Sequence, residues 1–220
     1  MVRPSIDARL KTDTKRFWWV GAGLVIVGLV LVWNWWHRPL SPREVAEKFR
    51  DCTITANAAC VQSLLSRTDL EDNEITTDHL QAFLEKHIKP YFPNPIPTPF
   101  DSMVEPENVL VFSGQIAISR GNSDYNVTVG PTDQGYRAVD GYSQLALLAA
   151  GLPKQKDLPQ GPNRLRLLAA QIRLLIPDLE RFGFKGIRPK PGDALQTWDQ
   201  FSAEMIARAD RAEVGTSNLQ

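Results

Sequence analysis

The chain has 220 residues, and its 25 basic and 25 acidic side chains give a formal net charge of zero. Nucleic-acid binding needs a concentrated basic surface, which a balanced chain of this kind lacks, so we expect no nucleic-acid partner. The part of the chain after its apolar N-terminal stretch is long enough for one domain and a helical extension.

Residues 17–36 form an apolar stretch without a charged side chain. Their number matches the roughly 20 residues that a helix needs to cross a bilayer. Tryptophans lie towards both ends, as is typical of residues at the two membrane interfaces: Trp18, Trp19, Trp33, Trp35 and Trp36. We predict a transmembrane anchor in the lipid bilayer. The alternatives are a buried helix and a cleaved signal peptide, although small residues suited to cleavage are missing.

Basic residues around the stretch predict its orientation. Residues 1–16 hold five basic side chains, against four in residues 37–50, and basic flanks favour the cytoplasmic side. We therefore predict a short cytoplasmic tail over residues 1–16, a single-pass signal anchor in the plasma membrane, and an extracytoplasmic C-terminal domain.

Cys52 and Cys60 are the only cysteines. On one continuous helix they would lie about 12 Å apart along the axis, too far for a disulfide. The residues between them include β-branched side chains and Asn57, a favoured helix N-cap, which predict a turn. We predict a Cys52–Cys60 disulfide, which indicates an oxidising compartment. Two separate buried thiols are the alternative.

Helical signals come first in the domain. Ser41, Pro42 and Glu44 form a capping box with proline at the first helical position, which predicts a helix start. Further helices are predicted over residues 58–65 and 77–89, the second from apolar residues at helical spacing.

Residues 90–106 contain six prolines, which exclude a helix and a central strand. We expect an extended surface connection; docking of this segment into an aromatic groove of a partner is the alternative.

Three β-rich runs follow, over residues 108–120, 123–130 and 135–144, and turn residues separate them. They predict a three-stranded antiparallel meander. Helices followed by a meander indicate an α+β fold.

The C-terminal third is predicted to be helical. Residues 163–176 have an apolar face with basic side chains around it, and Pro177 is expected to interrupt this helix. The apolar face is expected to dock on the domain, with anionic lipid as the alternative surface. A last helix over residues 193–212 is expected to pack on it as a hairpin. Residues 160–212 thus form a helical extension, and residues 213–220 a disordered tail.

The order of elements over residues 41–152 resembles the nuclear transport factor 2-like, or cystatin-like, family. The segment from Phe49 through Cys52 and Cys60 to Ser66 looks like the helix, turn and helix that open many bacterial extracytoplasmic members. The glycine-bounded run from Gly135 to Gly141 is similar to their final strands. The resemblance implies helices packed on a curved antiparallel sheet. Because members include enzymes, ligand binders and scaffolds, it implies no site residues.

The residues point to no catalytic, cofactor-binding or metal-binding constellation. His79 and His87 lack zinc-ligand spacing, and Asp140 is interpreted as a turn residue because glycine follows it. The sequence therefore favours a non-enzymatic scaffold or assembly protein that is anchored in the membrane and acts through protein partners or self-association. The alternative is a cone-shaped domain that binds a small ligand, or less plausibly catalyses a reaction, in an apolar pocket.

Overall fold

The computed structural model describes residues 25–29, 33, 38–93, 99–105, 109–118, 121–157, 159–188 and 193–217. They fall into two compact units, one within residues 1–39 and the other from Leu40 onward.

In the first unit, residues 25–29 and 33 are helical and their large apolar side chains are exposed, Trp33 to 65%. The rest of the predicted anchor lies outside the described residues, and so do Trp18, Trp19, Trp35 and Trp36. Among the helices that the structure describes, none combines the length and the apolar character needed to cross a membrane. The anchor therefore stays a prediction.

The second unit begins with four α-helices and a 3₁₀ turn: α1 (Pro42–Ile54), α2 (Ala58–Leu64), α3 (Arg67–Asp72), α4 (Thr77–His87) and the 3₁₀ turn Lys89–Tyr91. The predicted capping box is present, since Ser41 Oγ accepts from the Glu44 amide and the Glu44 carboxylate accepts from the Ser41 amide. Helix α3 was not predicted. Its N-cap is Ser66, whose Oγ accepts a hydrogen bond from the Asp69 amide at 3.2 Å.

An antiparallel sheet follows, with strands in chain order: β1 (Ser102–Val104), β2 (Leu110–Ile118), β3 (Gly121–Thr132) and β4 (Gly135–Ala138). The α+β class and the meander of the last three strands are confirmed. Two details of the prediction are wrong. The described sheet has four strands instead of three, because part of the predicted surface connection forms the exposed edge strand β1. The last strand ends at Ala138 instead of residue 144.

The sheet is apolar on one face only. Its buried side chains alternate along β2 and β3, and they include Phe112, Ile116, Tyr125, Val127 and Val129. Helix α1 packs against the sheet, and its Phe49 is fully buried. Alternation of this kind is typical of an antiparallel sheet with one face on the core and one towards solvent.

The chain turns from strand to helix at Asp140, whose φ of 57° lies in the left-handed region. Helix α5 (Gly141–Gly151) then begins in close contact with α1 and with the end of α2. A Cβ atom at Gly141 would lie 2.3 Å from a Leu65 methyl carbon and 3.2 Å from the Phe49 ring. A side chain at residue 141 would therefore require the Leu65 or Phe49 side chain to shift.

After the 3₁₀ turn Leu152–Asp157 come helices α6 (Pro162–Arg181) and α7 (Trp198–Ser217). They pack against each other, and Arg173 Nε donates to Ser202 Oγ at 3.1 Å. The predicted hairpin is thus confirmed. The apolar face of α6 docks on the domain as expected, with Ile172 and Leu179 buried, whereas Leu174 is 76% exposed.

Two expectations for these helices were wrong. Pro177 lies inside α6 and does not end it, because burial of Leu179 and Phe182 holds the following turn in place despite the missing amide. Helix α7 begins at Trp198 and continues to Ser217, so residues 213–217 are helical where a disordered tail was predicted. Arg166 of α6 binds Glu213 and so stabilises this last turn, with Nη2 and Oε2 2.7 Å apart.

The Cys52–Cys60 disulfide is present and joins α1 to α2, with the two Cα atoms 5.8 Å apart. The turn between the helices has the predicted cap, since Asn57 Oδ1 accepts from the Cys60 amide at 3.1 Å. The Asn57 amide in turn donates to the Cys52 carbonyl at 2.8 Å. The disulfide thus closes a loop that backbone hydrogen bonds already define.

Replacing both cysteines with serine is expected to lower the free energy of unfolding by about 2–3 kcal/mol, because the opened loop gives the unfolded chain more freedom. Urea unfolding of the full-length protein in detergent micelles measures the change. A reducing agent should destabilise the wild-type protein and leave the C52S/C60S variant unaffected. Equal stability of the two oxidised proteins would contradict the expectation.

Candidate functional site

Two clefts of the second unit carry the side chains that functional sites use. The first, which we name the acidic cleft, has a volume of about 210 Å³ and lies between α3, the end of the β3–β4 hairpin and the segment around Arg188. Its charged side chains are Asp69, Asp72, Asp140 and Arg188.

Asp69 is the most deeply buried acid of this cleft, at 6% exposure. Its Oδ2 accepts hydrogen bonds from Ser66 Oγ at 3.0 Å and from the Gly141 amide at 3.1 Å. Burial raises the pKa of this carboxyl to about 7, although the hydrogen bonds from Gly141, Ser66 and Tyr142 oppose the rise. The carboxyl therefore changes its protonation near neutral pH.

The position of Asp69 has a structural cause at the start of α5. Residue Asp140 holds the N-cap position of this helix, but its side chain makes no capping hydrogen bond in its left-handed conformation. The first amides of a helix have no partner within the helix. Asp69, 72 residues away in sequence, supplies the missing acceptor to Gly141. It is a long-range cap that ties α3 to α5.

Asp72 and Asp140 have different surroundings. Asp72 binds Arg188 through two hydrogen bonds, from Nε at 2.5 Å and from Nη2 at 2.8 Å. This pair joins α3 to the segment before α7. The Asp140 carboxyl accepts no hydrogen bond from any described residue. Burial raises its pKa to about 6; nearby Arg188 opposes the rise and Asp72 adds to it.

Carboxyls with raised pKa values in a cleft are typical of acid–base sites. Here, however, Asp69 serves as a cap and Asp72 is paired, which leaves Asp140 as the one acid of the cleft available for chemistry. Within the described residues no three histidine, cysteine or acidic side chains converge as a metal site would require. His79 and His87 both lie on α4, and neither lines this cleft.

The second cleft, which we name the β3 groove, has a volume of about 310 Å³. It lies between strand β3, helix α5 and the α6–α7 pair. Its walls are mainly apolar, from Leu147, Leu148, Leu168, Phe201 and Met205. The polar residues that also line it are Ser123, Asp124, Asn126, Gln144 and Arg164.

Gln144 anchors α5 to the sheet beside the β3 groove. Its Oε1 accepts from the Thr128 amide at 3.3 Å, and its Nε2 donates to the Val139 carbonyl at 2.9 Å. At the border of the groove, Arg164 and Asp124 are 3.5 Å apart and 41% and 50% exposed. An ion pair this exposed contributes little to stability, so both groups are available to a ligand.

Cys52 and Cys60 are paired in the structure, as the sequence predicted. The sequence predicted neither cleft, because each forms from residues far apart in the chain. The spacing of Ser66 and Asp69 is that of a capping box and was a usable signal for α3. No local pattern indicates that Asp69 would cap a helix that starts at Gly141.

Neither a search with protein-family models nor a search of curated proteins matches this chain. The two clefts are therefore interpreted from their own geometry.

The Asp69 carboxyl should make stability depend on pH. Its pKa is raised on folding, so the folded state binds the extra proton, and this contribution to stability is lost as the pH rises from about 4 to about 7. In D69N the side chain is neutral at every pH. The wild-type protein should therefore lose up to about 4 kcal/mol relative to D69N between pH 4 and pH 8.

Denaturant unfolding at several pH values measures this difference. The D101N variant is the matched control, because Asp101 is exposed and lies outside the acidic cleft. A difference between wild type and D69N that stays constant with pH would show that Asp69 does not titrate in this range.

Proposed function

We propose that the chain is a membrane-anchored, extracytoplasmic scaffold or accessory protein that acts by binding a protein partner, and that it is not an enzyme. The observation that carries the proposal is the β3 groove, whose lining is mainly apolar and includes the exposed ion pair of Arg164 and Asp124. Interfaces with this composition place the apolar contacts at the centre and the polar groups at the rim.

The compartment follows from the N-terminal stretch and the disulfide. Residues 17–36 have the length and composition of an anchor, and the excess of basic residues before them favours a cytoplasmic N-terminus. The Cys52–Cys60 bond belongs in an oxidising compartment. Both features support a domain that stands outside the cytoplasm beside the membrane.

The acidic cleft gives less support to a catalytic function. Asp69 accepts its hydrogen bonds from a helix start and from Ser66, and Asp72 holds Arg188. These contacts serve the packing of α3 against its neighbours. Among the described residues no side chain is hydrogen-bonded to the Asp140 carboxyl, so the cleft holds no paired acid and base or activated nucleophile there.

The relation to the nuclear transport factor 2-like family remains part of this proposal. The packing of helix α1 on the apolar face of an antiparallel sheet is consistent with it. Such domains serve as scaffolds, ligand binders and enzymes, so the family by itself does not select one function.

Binding of a small ligand is the second candidate. A volume of about 310 Å³ falls at the lower end of the range of small-molecule pockets. Asn126 and Arg164 line the groove beside its apolar residues, and polar groups next to apolar walls orient such a ligand. The two candidates differ in the molecule that the β3 groove binds in the cell, which is a protein partner in the first and a small molecule in the second.

Cysteine labelling on intact cells tests the topology. If the domain is extracytoplasmic, Cys52 and Cys60 should react with a membrane-impermeant maleimide only after external reduction. Labelling without reduction, and only after the cells are opened, would place the domain in the cytoplasm and contradict the proposal. A C52S/C60S variant controls for background labelling.

Substitution of Leu168, which lines the β3 groove, tests the binding function. The L168S variant should lose most of the protein partner that is cross-linked to the full-length chain in membranes, because it replaces an apolar wall with a polar group. L174S, on the same helix but at a position 76% exposed, is the matched control and should retain the partner.

Both variants must keep the disulfide and the helical circular dichroism of the wild type. Retention of every cross-linked protein by L168S would contradict a protein-binding groove. Loss of a bound small molecule from L168S in native mass spectrometry, with protein contacts unchanged, would favour the second candidate.

A further inference from the structure

Strand β3 is paired unequally on its two sides. On one side it pairs with β2 from Gly121 to Val129. On the other side it pairs with β4 only from Val129 to Thr132. The first half of β3 therefore has a free edge within the sheet, and this edge borders the β3 groove.

Thr128 shows which backbone groups point to the free edge. Its carbonyl accepts from the Val139 amide at 3.0 Å, and its own amide donates to Gln144 Oε1 at 3.3 Å. Backbone groups on one side of a strand recur at every second residue. The amides and carbonyls of Asn122, Asp124 and Asn126 therefore point to the same side as those of Thr128.

These edge groups have almost no partners among the described residues. The Asp124 carbonyl accepts from Ser123 Oγ at 3.2 Å, and no backbone hydrogen bond from another described segment reaches Asn122, Asp124 or Asn126 on this side. The 3₁₀ turn Leu152–Asp157 approaches β3, and among the described residues no backbone hydrogen bond is seen between the turn and these edge groups. Unpaired edge groups of this kind are a template for a further strand.

The edge and the apolar walls belong to one cavity. Asp124 and Asn126 line the β3 groove on the strand side, and Leu147, Leu148 and Phe201 line it on the helix side. Its volume of about 310 Å³ equals that of roughly ten water molecules. The space suits the side chains of one extended segment and is too small for a folded element.

We infer that β3 binds an extended peptide segment of a partner protein as an added strand. The segment pairs with the amides and carbonyls of Asp124 and Asn126 that face the free edge, and its alternate apolar side chains enter the β3 groove. The repeat of the edge groups, about 6.6–6.8 Å for two residues, matches the repeat of a second strand. A compact ligand would form hydrogen bonds with the edge groups of at most one residue. Main-chain pairing supplies affinity and the walls supply selectivity in this kind of recognition.

This inference rests on the proposed protein-binding function and names the form of the partner. The test uses capped eight-residue peptides in which valine, leucine or phenylalanine alternates with serine or lysine. Control peptides of the same composition carry a proline at the centre, which prevents pairing. The full-length, isotopically labelled protein in detergent micelles is followed by amide hydrogen exchange with and without each peptide.

The expected result has an alternating pattern. A bound peptide should slow exchange at the Asp124 and Asn126 amides, for which no partner is found among the described residues of the free protein. The amides of Tyr125 and Val127 already face β2 and should change little. Proline-containing peptides should give no protection. Binding without protection at Asp124 and Asn126, or the absence of binding by every alternating peptide, would overturn the inference.

Two substitutions at one position separate the backbone from the side chain. N126P removes the amide that faces the groove and leaves the hydrogen bonds to β2 in place, so peptide affinity should fall roughly tenfold, as for one lost hydrogen bond. N126A keeps the amide and should bind as the wild type does. Equal affinity of a folded N126P would overturn the inference, and exchange in the wild-type protein decides the matter if N126P does not fold.

The outcomes also separate this inference from the proposed function. If L168S loses its cross-linked partner while the edge amides stay unprotected, the groove binds proteins by another mode. If the peptides protect the edge but L168S keeps every partner, the edge is a peptide site and the cellular function lies elsewhere.

Discussion

The buried carboxyl of Asp69 is the contact on which the arrangement of the second unit depends. A helix that begins directly after a left-handed residue has no local cap, and Asp140 leaves the first amides of α5 without an acceptor. Asp69 supplies that acceptor from α3, at 3.1 Å from the Gly141 amide. This contact keeps the Asp69 carboxyl only 6% exposed. Burial makes the carboxyl harder to ionise. Proton binding and the packing of two distant helices are thereby coupled.

The position of α5 decides what the rest of the chain can form. Helix α5 starts against α1 at Gly141, where a Cβ atom would displace the Leu65 or Phe49 side chain. The helix then runs beside β3, with Gln144 bonded to the strand. Leu147 and Leu148 on the same helix become one wall of the β3 groove, and the α6–α7 pair becomes the other. The acidic cleft forms at the beginning of α5 and the groove forms along it, so one helix shapes both.

The polar groups of the two clefts are used differently, and this favours binding over chemistry. In the acidic cleft, Asp69 and Asp72 are occupied by contacts that hold secondary-structure elements together. Along the β3 groove, the main-chain groups of Asp124 and Asn126 that face the free edge pair with no other described strand, because β4 ends too early to reach them. Unused main-chain groups next to apolar walls fit a binding surface, since such groups gain a hydrogen bond only when another chain arrives.

The sequence by itself determined the features that arise from residues close together in the chain. These include the capping box at Ser41, the Cys52–Cys60 bond across the Asn57 turn, the order of the last three strands and the helical hairpin at the end. Caps, turns and periodicity act over a few residues, so their signals survive in a single sequence. Only the tertiary structure decided the end of β4, the cap of α5 by Asp69, the uninterrupted path of α6 through Pro177 and both clefts. Each of these depends on contacts between segments tens of residues apart, where burial outweighs local preference, and no local pattern records which segments will meet.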